Sequence, residues 1–176
     1  MWKKHLKMFL LYKKAQGLAE RTLKDYEYNI GLFFKAYPRA LKNDETLEMA
    51  VLEYFAGIGH LAPSTFNSRR KNLNTFLDWL RDEKKVIKKN PIKSIKRRKE
   101  EKMPRASDED TLSKLLQAPN RSTFAGLRDY ALIVLTLDTG IRPGEAFGLL
   151  KKDFDLEKGQ VEIPAEVAKT RTRRIL

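Results

Sequence analysis

The sequence predicts a mainly α protein in two parts: a helical domain, then the start of an α+β unit with a small β-hairpin. Three observations carry this. Apolar residues recur at steps of three and four through the first 83 positions, the mark of helices with one buried face. The composition then changes abruptly to lysine and arginine bracketed by Pro91 and Pro104, which reads as a domain boundary. Strict alternation appears late, in Gln160-Val161-Glu162-Ile163 after Lys158-Gly159, the pattern of a strand entered through a tight turn.

Residues 1–88 are assigned to the helical domain, as several short helices. From Thr22, the positions Leu23, Tyr26, Ile30, Phe33 and Tyr37 mark one buried face. Thr22-Leu23-Lys24-Asp25 fits a capping box, with Asp25 against the positive helix end. Residues 57–62 form a break. A second helix is expected from Pro63, which suits a first helical position because no amide donor is needed there. Phe66, Leu73, Phe76, Leu77 and Leu80 give its apolar stripe, and Asn67, Arg70, Lys71 and Asn74 lie on other faces.

Residues 89–106 are assigned to a basic linker. Between 84 and 105, eleven lysines and arginines stand against Glu100 and Glu101, so this stretch holds most of the net charge of +13. It reads as an extended, solvated connector. Residues 107–176 form the second unit. Ser107 is a candidate N-cap before Asp108, Glu109 and Asp110. The helix from Leu127 to Leu137 is apolar nearly all round and is expected at the centre of a core. Gly140 ends it, and residues 173–176 are expected to begin the partner of the late strand.

Composition narrows the function. There is no cysteine, which removes disulfides and thiolate zinc sites. His5 and His60 are the only histidines, so no metal site is expected. No run reaches the roughly 18 apolar residues a spanning helix needs. Met8-Phe9-Leu10-Leu11-Tyr12 is too short for a signal peptide, and a cytoplasmic, nucleoid-associated protein is the simple reading. A pI of about 9.9 points to a polyanion. Nucleic acid is favoured over a membrane surface, because the basic residues crowd into a connector rather than one face of an amphipathic helix.

The run Thr139-Gly140-Ile141-Arg142-Pro143-Gly144-Glu145 carries the candidate chemistry. Arg142 follows a helix-ending glycine and opens a new turn. A guanidinium placed there matches two phosphate oxygens, with Glu145 one turn later to hold it. On local chemistry alone an ordinary Arg–Glu pair within a helix is the favoured reading.

The longer run from Leu127-Arg128-Asp129, through that segment, to Leu150-Lys151-Lys152-Asp153-Phe154-Asp155 resembles the tyrosine recombinase (phage integrase) family. The family pattern is Arg-Asp, an apolar helix, Thr-Gly-x-Arg-x-x-Glu, then leucine and an aspartate-containing loop into a strand. Thr22 with Tyr26, Ser64-Thr65-Phe66-Asn67, Phe76-Leu77-Asp78-Trp79-Leu80 and Asn90-Pro91 are similar to the family's core-binding domain. The resemblance covers essentially the whole chain. It implies a SAM-like helical core-binding domain, then the N-terminal part of the α+β catalytic domain.

The resemblance also implies chemistry and partners. Such enzymes cut and rejoin double-stranded DNA at specific sites, without metal, ATP or other cofactor. A tyrosine attacks the scissile phosphate, two arginines neutralise the transition state, and a hairpin lysine protonates the leaving 5′ oxygen. Carried over, Arg142 is the first arginine, Glu145 its acidic neighbour, and Lys169, in Ala168-Lys169-Thr170-Arg171, the hairpin lysine. A solvated loop lysine is the bland alternative, and Lys151, Lys152 and Lys158 fit the spacing worse. Thr22, Lys24, Ser64, Thr65, Asn67, Arg69, Arg70 and Lys71 are the candidate DNA contacts. By itself Lys96-Arg97-Arg98-Lys99 fits a nuclear-import signal or a spacer; the resemblance favours a phosphate-tracking connector. The family acts as a tetramer on DNA, with no membrane partner.

Ala19 and Ala62 depart from the serine often found before these helices, each removing a capping hydroxyl at about 1 kcal/mol. Pro143-Gly144 departs from the usual apolar residue and serine. No His-x-x-Arg segment follows Lys169, and the last tyrosine, Tyr130, is expected on a buried helix as a core residue. The expectation is therefore the DNA-binding part of a mobile-element integrase, serving DNA integration and recombination, that does not cleave alone. The alternatives are a stand-alone truncated integrase that binds or regulates without catalysis, and an unrelated helical transcription factor.

Overall fold

The computed structural model describes residues 1–100 and 107–176. They fall into two compact units, divided near residue 102. The protein is mainly helical, with one small antiparallel sheet.

The first unit is built on four helices: α1 (Trp2–Ala15), α2 (Glu20–Ala36), α3 (Asp44–Gly57) and α4 (Pro63–Asp82). Each turns one apolar stripe inward. Phe9, Ile30, Phe33, Phe34, Leu47, Leu73, Phe76, Leu77 and Leu80 are fully buried. Their rings meet mostly edge to face, as in Phe33–Phe34 at 4.8 Å and Phe9–Phe76 at 5.2 Å between centroids, which suits the aromatic quadrupole. The helix starts differ in quality. Asn43 caps α3, its side chain accepting from the Thr46 amide at 2.7 Å, with Asp44 and Glu45 following in the first turn. Ala19 and Ala62 precede α2 and α4 and offer no side-chain cap.

The capping box expected at Thr22 does not form. The helix starts earlier, at Glu20, and the Thr22 amide bonds the Ala19 carbonyl instead. Thr22 is therefore already inside the first turn, where its hydroxyl cannot serve as the cap.

The basic segment is also not a free connector over its first part. Ile87, Asn90, Pro91 and Ile92 are buried in the first unit, and Pro91–Ser94 form a 3₁₀ turn. Asn90 is the pin. Its side-chain nitrogen donates to Asn74 Oδ1 at 3.1 Å and Asp78 Oδ1 at 3.0 Å, while its oxygen accepts from the Ile92 amide. Four apolar residues (Val86, Ile87, Ile92 and Ile95) sit among the lysines, and packing them on the core outweighs the tendency of a charged strand to stay solvated. Residues 101–106, the rest of the expected linker, lie outside the described residues.

The second unit holds α5 (Glu109–Gln117), α6 (Phe124–Thr139), the short α7 (Pro143–Ala146), and strands β1 (Phe154–Asp155), β2 (Gln160–Ile163) and β3 (Arg174–Ile175). The sheet order is β1-β2-β3, antiparallel throughout, with Phe154 opposite Val161 and Glu162 opposite Ile175. Gly159 turns β1 into β2 at φ +62°, and Asp155 accepts from the Lys158 amide. Gly140 closes α6 in the left-handed conformation that glycine adopts without strain.

Two expectations fail here. Asp108, not Ser107, caps α5, accepting from the Thr111 amide at 2.7 Å. And α6 is not central to a core. Leu127, Val134 and Leu137 are exposed, and Tyr130 is half-buried with the Arg121 guanidinium 4.8 Å from its ring centre. The buried cluster of this unit is small, centred on Ile141, Ile163 and Ala168. An all-round apolar helix announces that it can be buried, not that enough partners are at hand.

Candidate active site and nucleic-acid interface

One carboxylate organises the second unit. Glu145 lies in α7, and its side chain is only 3% exposed. It receives donors from three directions. Arg174, on β3, donates to both carboxylate oxygens, at 2.5 and 3.4 Å. The Lys169 backbone amide donates to Oε1 at 2.9 Å. Arg142, at the start of α7, reaches Oε1 with Nη1 at 3.3 Å, and its amide reaches Oε2 at 3.4 Å. A carboxylate accepting this many donors is stabilised in its charged form. The Arg174 guanidinium, then the Lys169 amide, hold Glu145 down to about 2.

The result is a shared fulcrum. Arg142 and Lys169 are 27 positions apart in sequence, yet both rest on the same oxygen of Glu145. The Arg142 side chain remains 52% exposed, so most of its donors are open to solvent. The Arg142–Glu145 contact is long and not bidentate, whereas Arg174 makes the tight pair. Sequence reading cast Glu145 as the holder of Arg142 and missed Arg174, which holds Glu145. The only available signal was an arginine at the expected start of a strand that pairs with β2.

In the first unit the expected contact residues separate into two groups. Thr22 and Lys24 on α2, and Ser64, Thr65 and Lys71 on α4, are exposed, with Arg69 half-exposed. Asn72 Nδ2 reaches the Asp25 carbonyl at 3.3 Å, tying the two helices. Asn67 and Arg70 have other work. Asn67 is 6% exposed. Its oxygen accepts from the Arg98 amide at 2.9 Å, and its nitrogen donates to the Arg98 carbonyl at 2.9 Å and to Glu100 at 2.7 Å. Arg70 Nε donates to the Ile95 carbonyl. Asn67 therefore clasps the basic segment with its whole amide, while Arg70 does so through Nε alone.

Arg98 completes the clasp. Its guanidinium lies 4.0 Å from the Phe66 ring centre and donates to the Gly59 carbonyl. Among the described residues, no carboxylate lies within ion-pair distance of Lys96, Arg97 or Lys99. The three are exposed and are carried beside a polar groove of about 400 Å³ lined by Ser64, Lys71, Asn74 and Arg97. Among the described residues, no group of His, Asp or Glu is arranged to hold a metal, and no helix is long and apolar enough to cross a membrane.

The chain is similar to known proteins over most of its length. Residues 105–176 match the family model described as the phage integrase family. The chain is 29% identical over 168 residues to the tyrosine recombinase XerC of Thermodesulfovibrio yellowstonii, covering 93% of this chain and 54% of that protein. It is 31% identical over 146 residues to the tyrosine recombinase XerD of Neisseria meningitidis serogroup B, covering 81% and 49%. A crystal structure of XerA recombinase is similar at a TM-score of 0.43 and 20% identity, covering 98% of this chain and 58% of that one. The chain spans about half the length of the curated relatives it matches.

Proposed function

We propose, for a chain that belongs to the tyrosine recombinase (phage integrase) family, that it is the DNA-holding portion of a site-specific recombinase. The first unit grips the duplex. The second carries part of the phosphate-activating machinery.

The observation that carries this reading is the shared carboxylate. Glu145 ties Arg142 to the backbone of Lys169 through one oxygen. An exposed guanidinium close to the backbone of a hairpin lysine suits a phosphate whose charge grows during displacement. Arg142 would take two non-bridging phosphate oxygens, and Lys169 would supply the proton to the departing 5′ oxygen. Glu145 stays charged and touches no substrate; it fixes both. The covalent step needs a tyrosine, and these 176 residues hold none after Tyr130. Tyr130 is half-buried within α6, under the Arg121 guanidinium, which does not suit an attacking group. The polypeptide by itself is thus expected to bind without cutting. A stand-alone DNA-binding role is the second reading, favoured by the basic strip of Lys96, Arg97 and Lys99 fastened to the first unit.

The test is selection from a pool of random duplexes with the 176-residue chain. The reading expects enrichment of one recurrent motif and, on that DNA, retention that sodium dodecyl sulfate fully reverses. A pool that stays random sinks site-specific binding. A detergent-resistant adduct sinks the claim that the chain does not cut.

A further inference from the structure

The polar groove beside α4 already holds an anion, and the anion is the chain's own. Arg70, Lys71 and Arg97 are its cations, and Glu100 is the one acid among its described lining residues. Glu100 is not paired with those cations. Among the described residues, no carboxylate lies within ion-pair distance of Arg70, Lys71 or Arg97. The Glu100 carboxylate accepts instead from Asn67 Nδ2 at 2.7 Å.

Asn67 decides what the groove can hold. It is 6% exposed, and its amide nitrogen has two N–H donors. One goes to the Arg98 carbonyl at 2.9 Å and the other to Glu100. Withdrawing the carboxylate leaves a buried donor without an acceptor, which is costly. The position therefore demands an oxygen, and the three cations around it favour a negatively charged one. A phosphate group meets both demands, with one oxygen on Asn67 and the others among the guanidinium and ammonium groups.

We propose that this groove is a site for one phosphate group, and that Glu100 fills it in the free chain as a built-in competitor. A tethered carboxylate acts at an effective concentration on the order of millimolar, so a lone inorganic phosphate does not displace it. A duplex does, because Lys96 and Lys99, both exposed on the same segment, hold neighbouring phosphates at the same time. Glu100 thus makes entry depend on a chain of phosphates rather than on a single ion. The natural ligand rests on the DNA reading of the first unit. The affinity of the opened groove for phosphate does not.

The test uses Glu100→Ala and Glu100→Gln in the full chain. Alanine empties the position, whereas glutamine removes the charge but keeps an oxygen for Asn67. In the first arm, inorganic phosphate replaces chloride at constant ionic strength while NMR follows the Asn67 side-chain amide. Glu100→Ala should bind phosphate about tenfold more tightly than the unaltered chain, with Glu100→Gln between them. No saturable shift in either variant overturns the site. Equal affinities in the unaltered chain and Glu100→Ala overturn the competitor, and equal affinities in the two variants mean that charge alone matters and overturn the role of Asn67. In the second arm, Glu100→Ala should bind a random-sequence duplex about tenfold more tightly. Adding Arg97→Ala should cut that gain to below about threefold, since the two positions share one phosphate. A gain of equal size in both backgrounds overturns the proposal. Phosphate binding in the first arm without duplex binding in any chain would strike the DNA reading and leave the groove as a site for free phosphate.

Discussion

The two units treat apolar surface in opposite ways. In the first, four amphipathic helices bury Phe9, Phe33, Phe34 and Phe76 completely, and even the lysine-rich segment contributes Ile87 and Ile92 to the core. In the second, α6 carries a longer apolar run than any of those helices, yet Leu127, Val134 and Leu137 stay exposed. What holds the second unit is a small apolar cluster at Ile141, Ile163 and Ala168 and a polar hub at Glu145. Burial depends on what surrounds a stripe, not on how apolar the stripe is. A unit that leans on one carboxylate is also sensitive to pH where a packed aromatic core is not.

The sharpest break of this contrast comes from truncating the first core. Phe76→Ala removes a fully buried ring that contacts Phe9, Phe34 and Trp79, and should destabilise the first unit by about 3–5 kcal/mol. Trp2 and Trp79 are the only tryptophans, and both belong to the first unit, so tryptophan fluorescence during urea unfolding reads that unit alone. A loss below about 1 kcal/mol would mean the aromatic cluster is looser than its geometry.

Asn90→Ala comes next. It leaves Asn74, Asp78 and the Ile92 amide without their shared partner, which should cost about 1–3 kcal/mol. Trypsin should then cut after Lys93, Lys96 and Arg97 markedly faster than in the unaltered chain. Unchanged cutting would return the segment to the free connector that its composition suggests.

Acid should act on the second unit first. Glu145 is held down to about 2, against an ordinary glutamate value of about 4.3 in an unfolded chain. Its folded value is the lower, so its contribution to stability is complete above pH 4.5 or so. That contribution fades as pH falls towards 2 and is gone below. Protection of the Lys169 amide, which donates to Glu145, relative to its intrinsic exchange rate at each pH should persist at pH 4 and fall near pH 2. Protection already lost at pH 4 would mean that Arg174 does not hold the carboxylate. The smallest effect is expected from Leu137→Ala on exposed α6, within about 0.5 kcal/mol.

Legibility in the sequence followed the same divide. The stripes of α2 and α4 were readable because period and burial coincide at Leu23, Tyr26, Ile30 and Phe33, and at Phe66, Leu73 and Phe76. The start of α4 at Pro63 and the end of α6 at Gly140 were readable from backbone chemistry. The start of α2 was not, because Ala19 gives no capping signal and Thr22 gives a false one. The clasp of Asn67 and Arg70 on residues 95–100 was hidden for another reason. Two polar residues on a polar helix face look alike whether they meet nucleic acid, water or a distant carbonyl. The segments that hold Arg142, Glu145 and Lys169 could be singled out from the sequence, and the structure brings the three positions together at Glu145. Arg174 could not be, because its role depends on β3 lying beside β2, a pairing that no local pattern encodes.

In the proposed division of labour, the first unit supplies the affinity for duplex DNA and the second carries part of the phosphate-activating machinery. The direct measurement is the salt dependence of duplex binding for three chains. The unaltered chain should give a slope of log affinity against log salt near −5, for about six phosphates neutralised. Lys71→Ala with Lys96→Ala should weaken binding and reduce that slope by about 2. Arg142→Ala should leave affinity nearly unchanged and reduce the slope by at most about 1. If Arg142→Ala abolishes binding while the double variant binds as the unaltered chain does, the division is wrong and the second unit is the grip.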